Sequence, residues 1–198
     1  MRIETTAETE DAALRLDFPW ERGGERYLDL RSDARAIAAI EPAHRHVPLG
    51  RFLDAVNGAD SVFCTAKCST QANRGAPASG EACGFASSVH LLFADEKYNF
   101  RQEHYEGLAK QLQDLLMRDA PADSLEVGLR IRSCRFRTAG RDGFCLVIQL
   151  QAQGATADHA ELRWGLGLAR LQQALLFLSR VVRHHQAGGS GAGKLVPE

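Results

Sequence analysis

"SLEVGLRIRSCRFR", Ser124 to Arg137, carries a conflict in its own side chains. Leu125, Val127, Leu129 and Ile131 are apolar at odd positions, whereas Cys134 and Phe136 are apolar at even ones. A β-strand sends alternate residues to opposite faces, so one register cannot bury both sets on the same side. The expected relief is a β-bulge around Arg132 to Cys134, where one extra residue would reset the alternation. Downstream, "FCLVIQLQA" sets Phe144, Leu146, Ile148 and Leu150 on one face, and the intervening "TAGRDG" predicts a β-hairpin.

Working outward, Asp158 and Glu161 have capping spacing for a long helix to about His185. Trp164, Leu168, Leu171, Leu175, Leu178 and Val182 form its apolar seam, widened by Ala174, Phe177 and Val181. That width suits packing on a sheet first, with dimerisation through this helix or a sheet edge as the second reading. Gly165 and Gly167 should weaken its first turns unless close packing requires them.

Upstream, "CGFASSVHLLFAD" reads as a strand. Asn99 with Gln102 then opens a helix to near Arg118 that carries Phe100, Tyr105, Leu108, Leu112, Leu115 and Leu116 on one face. The order from Phe85 onward is therefore β-α-β-β-α. The fold class expected is α+β, an antiparallel sheet with two main helices on one face and a ferredoxin-like core. The missing strand would come from "DSVFC" or from the N-terminus.

There, "AALRLDFPW" and "YLDL" around "ERGGER" predict a hairpin. Ser32 caps a short helix with Ile37 and Ile40 that Pro42 stops, and Pro48 opens another with Leu49, Phe52, Leu53 and Val56 that ends at Asn57–Gly58.

Residues 1–186 are expected to form a single domain, with 1–58 as hairpin and short helices and 59–186 as main sheet and helices; 187–198 would be a flexible Gly/Ser tail. The tail's Gly188-x4-Gly193-Lys194 has the start of a phosphate-loop spacing, but Leu195 replaces the Ser/Thr and no strand leads in.

At 44% hydrophobic and 25% charged residues, the chain has enough apolar surface for a core, which excludes wholesale disorder. A net charge of -1 supplies no basic field, arguing against nucleic acid and anionic membranes as partners. No run reaches the roughly 18 apolar residues of a membrane span, and "MRIETTAETEDA" lacks an apolar leader core. The expected location is cytoplasmic, where the five cysteines would be free thiols or metal ligands.

Three of those cysteines lie in "CTAKCSTQANRGAPASGEAC", residues 64–83, read as a loop between two strands. Cys64, Cys68 and Cys83 with His90 make a candidate zinc site, since thiolates and imidazole suit tetrahedral zinc. Alternatively Cys64 and Cys68 form a redox pair sensitised by Lys67, or the thiols are simply small buried hydrophobes. Arg130 and Arg132 on the polar face of their strand, with Arg135 nearby, make a candidate site for a small anion or an acidic protein partner, unless they only protect an edge. His44 and His46, between two prolines, read as an exposed loop.

No nucleophile motif is present. The first functional expectation is a non-catalytic binding or regulatory module of the cytosol, forming a homo-oligomer. The second is a small metal- or thiol-dependent enzyme using Cys64, Cys68 and Cys83.

Overall fold

The computed structural model describes residues 2–8, 16–73, 82–118 and 125–188. Its strands are β1 (Arg2–Glu8), β2 (Leu16–Phe18), β3 (Glu21–Arg22), β4 (Glu25–Arg26), β5 (Phe63–Asn73), β6 (Cys83–Phe93), β7 (Leu125–Phe136) and β8 (Arg141–Gly154). Its α-helices are α1 (Glu41–Arg45), α2 (Val47–Asn57), α3 (Gln102–Arg118) and α4 (Ala157–Gly188), with 3-10 turns at Ala34–Ala39 and Glu96–Phe100.

Helices and a six-stranded sheet share the core, as an α+β fold requires. The sheet is mixed, however, and not antiparallel throughout. Strands run in the order β1-β7-β8-β6-β5, and both β1 and β2 pair with β7 in parallel. The expected N-terminal hairpin is reduced to β3 and β4, two residues each, closed by Gly23 and Gly24 at positive φ. Leu16–Phe18 instead joins the main sheet, because the even-numbered apolar residues of β7 offer it a buried partner row.

No bulge interrupts β7, which stays in continuous register with β8 from Leu125↔Ala152 to Phe136↔Arg141. The change of phase is met by a second core. Leu125, Val127, Leu129 and Ile131 face the helices, whereas Cys134 and Phe136 face the opposite side with Leu16, Cys64, Ala66, Leu92, Cys145 and Val147. The segment after β2 lies over this second core. Phe18 meets Phe136 at 5.8 Å, and the Trp20 indole donates to the Ala66 carbonyl at 2.6 Å, so the cover reaches from the β7 edge to the β5 edge.

The register shift sits in β5, between Thr65 and Lys67. A bulge leaves main-chain groups unpaired. Trp20 takes the Ala66 carbonyl, and Asn57 at the end of α2 accepts from Thr65 N at 2.9 Å. Arg31 donates to the Ser61 and Phe63 carbonyls just upstream, at 3.1 and 3.0 Å.

The helix face is covered by α2 as well as α3 and α4, one helix more than expected. The α4 seam from Trp164 to Leu178 lies buried on the sheet, and the Trp164 indole donates to Ser87 Oγ at 2.8 Å. Close packing accounts for the two glycines of α4: a Cβ at Gly167 would stand 2.9 Å from Leu125, and one at Gly165 would stand 3.0 Å from Pro48 of α2. Thr156, rather than Asp158, caps this helix, accepting from His159 N at 3.2 Å.

Asn99, read as the cap of α3, is buried and staples the end of β6. Its amide exchanges hydrogen bonds with the Phe93 N–H and C=O at 2.8 and 2.9 Å and accepts from Tyr105 at 2.5 Å. Asp33, not Ser32, caps the 3-10 turn at Ala34–Ala39, and Pro42 opens α1 instead of stopping a helix. Most of the expected tail, 189–198, lies outside the described residues.

If the second face is a true core, Phe136→Ala should lower unfolding free energy in urea by about 3–5 kcal/mol, the usual cost of truncating a buried ring. Phe52→Ala on the helix face should cost a similar amount. A loss under about 1 kcal/mol for Phe136→Ala would mean that the ring is not enclosed.

Candidate functional site

The strip called a loop is mostly strand. Cys64 to Asn73 belongs to β5, and the connection to β6 falls largely at 74–81, outside the described residues. Cys64 stands opposite Leu92 and Cys68 opposite Val89, whereas Cys83 pairs with Gly154 at the far end of β6. At about 3.3 Å per residue, Cys83 is about 20 Å along the sheet from the level of Cys68 and about 30 Å from that of Cys64. The β5 bulge also turns Cys64 into the second core and Cys68 toward the helices. The structure therefore does not bring Cys64, Cys68, Cys83 and His90 together. Among the described residues, no group of three or more His, Cys, Asp and Glu is placed to hold a metal ion.

Nor do the β5 thiols have a thiolate environment. Burial pushes Cys64 up to about 12 and Cys68 up to about 11, and Lys67, 5.9 Å from the Trp20 ring, leaves no mark on either. His46 is not in an exposed loop. It precedes α2, bonds Glu161 through Nδ1 at 2.7 Å, and packs edge-on against Phe85 and Trp164, while His44 is exposed.

The second face holds two features that sequence reasoning missed. The first is a thiol pair, Cys134 and Cys145, both fully buried and diagonal neighbours across the β7–β8 ladder. The Cys134 thiol donates to Cys145 and holds it down to about 6; burial opposes this, and the His90 imidazole and Arg132 add to it. Arg132 sits directly opposite Cys145, and His90 lies one row away beside Val147. His90 Nδ1 is buried and has no hydrogen-bond partner among the described residues. The signal for this pair was the even-position phase of Cys134, since the hairpin register then sets Cys145 diagonally beside it.

The second feature is the uncovered half of the same face. From Arg130 in the Arg130–Val147–His90–Lys67 row outward, the sheet is lined by Ser69 and Gln71 of β5, Ala86 and Ser88 of β6, Gln149 and Gln151 of β8, and Glu126 and Gly128 of β7. Arg2, Glu4 and Thr6 of β1 form one rim, with Arg2 and Glu4 paired to each other. Short side chains at Gly128, Ser88, Ala86 and Ser69 leave a hollow of about 410 Å³.

Its charge is graded: Arg130 stands at the end nearer the cover, and Glu126 with the Arg2–Glu4 pair stands at the outer end. Of the predicted arginines, Arg130 lines the hollow and Arg132 shares its face. Arg135 lies at an odd position and pairs with Asp142 at 3.2 Å.

Comparison with models of protein families, with curated proteins and with solved structures finds no match.

The thiols predict a signed pH dependence. Cys145 ionises more readily folded than unfolded, so its contribution to stability is complete above the ordinary thiol value of 9.0 and is lost as pH falls through about 6. Cys64 and Cys68 act oppositely: their contribution is complete below 9.0 and is lost as pH rises through about 11 to 12. Urea unfolding should therefore show stability rising from pH 6 to 9 and falling above it, with the rise absent in Cys145→Ser. An equal rise in that variant would assign it to other groups.

Proposed function

We propose that this protein is a non-catalytic binding module whose ligand site is the open, polar half of the second sheet face. The observation that carries the reading is the division of that face. One half is closed over apolar side chains, while the other is left as a hollow floored by small residues and ringed by amides, hydroxyls and Arg130.

A sheet face of this kind suits an extended peptide segment. Gln149, Gln151, Ser69 and Ser88 offer donors and acceptors to a main chain, and Arg130 offers charge-assisted hydrogen bonds to a carboxylate at one end. An acidic segment of a protein partner is thus the ligand proposed, with a small anion as its minimal fragment. Mixed charge and the scarcity of rings in the hollow weigh against nucleic acid.

The ferredoxin-like reading of β6-α3-β7-β8-α4 draws support from β8 pairing between β6 and β7, with β5 beside β6. An enzymatic role through Cys64, Cys68 and Cys83 has no support from their positions.

Titration with acetylated, amidated tetraglutamate, followed by amide NMR, tests the site. Shifts should concentrate at Ser88, Gly128 and Gln149. Arg130→Ala should weaken binding by about tenfold or more, the worth of a hydrogen bond to a charged group. Gly128→Val should abolish it without unfolding the protein, because a Cβ there meets Gln149 at an ordinary 3.4 Å. Unmoved amides up to about 10 mM peptide, weaker than any specific contact, would defeat the proposal.

A further inference from the structure

With its seam turned to the sheet, α4 presents a second stripe outward: Asp158, Leu162, Leu166, Ala169, Gln173, Phe177, Arg180 and His184 are all exposed. Leu162 is 64%, Leu166 60% and Phe177 46% exposed, three of the five large apolar side chains that stand out from the described surface. Surface helices usually carry charge on this face, so a sustained apolar stripe calls for a partner.

The order of residues along the stripe identifies that partner. It is acidic at its start, mainly apolar through the middle, where Gln173 is the one polar residue, and basic at its end. Laid antiparallel against itself, with Ala169 facing Ala169 at the crossing, the stripe sets Leu166 against Gln173, Leu162 against Phe177 and Asp158 against Arg180. Each contact then recurs by symmetry, as a two-fold interface demands. The small side chain at the crossing lets the helices approach, and opposite charges meet at both ends. A parallel pairing would set Asp158 on Asp158 and Arg180 on Arg180.

We propose that the outward stripe of α4 is a homodimer interface in which two copies of this chain pair their α4 helices antiparallel about Ala169. Where the two stripes overlap, from Asp158 to Arg180, the contact is about 33 Å long and one helix about 10 Å wide, or roughly 330 Å² per protomer. A standard interface buries about 800 Å² per partner. The dimer should accordingly be a reversible one, with a dissociation constant in the range of about 10–100 μM. This surface is on the opposite side of the molecule from the sheet hollow, so the inference stands apart from the ligand reading.

Sedimentation equilibrium of the full chain from about 1 μM to 1 mM spans that range. The wild type should pass from monomer to dimer, and Leu166→Glu should remain monomeric throughout with an unchanged thermal melt. Asp158→Arg and Arg180→Asp should each weaken association by about fivefold, in line with exposed ion pairs, and the double variant should restore it. A wild type that stays monomeric at 1 mM, a dimer indifferent to Leu166→Glu, or a double variant no better than the singles would each overturn the interface. Tetraglutamate titration of the monomeric Leu166→Glu protein reports the sheet face separately, so failure of one proposal is distinguishable from failure of the other.

Discussion

Cys134 and Phe136 have to be buried on the side of the sheet opposite Leu129 and Ile131, and much of the molecule follows from how that demand is met. A strand whose apolar residues change phase either breaks its register or acquires a core on both faces. Here the register holds, and the N-terminal segment supplies the second cover: β2 pairs along the β7 edge, and Phe18 and Trp20 lie over the apolar half of the face. Trp20 ends that crossing at the Ala66 carbonyl, which the β5 bulge leaves unpaired. Cover and bulge therefore depend on each other.

Because the cover spans only half of the sheet, the other half has to be compatible with water, and its residues are polar or small for that reason. The hollow and its graded charge arise from this division. The Cys134–Cys145 pair sits on the closed side, with His90 and Arg132 near the boundary. Its chemistry belongs to the buried half, and its shifted titration is felt in stability and not at an exposed surface. On the helix face, the close contacts of Gly165 and Gly167 seat α4 against α2 and the sheet, turning the seam inward and leaving the Leu162–Phe177 stripe outward.

Periodicity was a good guide wherever one face alone was buried. The helix α3, the inward seam of α4 and the proline-opened α2 were legible because each has a single apolar side, and the β7–β8 hairpin was legible from the turn between two alternating runs even though its strands bury residues on both faces. It misled where two faces were involved. The phase change in β7 was read as a local irregularity, since nothing in the strand says that a segment more than a hundred residues away will cover its other side. The β5 bulge was invisible for the converse reason: "FCTAKCS" keeps small or apolar residues on both sides of the break, so no alternation was disturbed. Reading Cys64–Cys83 as a loop followed from its Ser, Thr, Gln and Asn content, but those residues line an edge strand beside an open face, where polar side chains are equally at home. The candidate arginines were half legible: alternation put Arg130 and Arg132 on one face, but Arg135, grouped with them, falls on the other face in the unbroken register, and the hollow beside Arg130 needed the full strand order.

The N-terminal segment seals one half of the second face. Native-state thiol labelling, resolved by residue, tests it most directly, because Cys134 and Cys145 lie beneath the cover and Cys145 would be reactive if reached. Cys83 should react first and Cys68, partly exposed but held up to about 11 by burial, more slowly, with Cys64, Cys134 and Cys145 protected until the protein unfolds. Prompt labelling of Cys134 and Cys145 in the folded protein would contradict the seal.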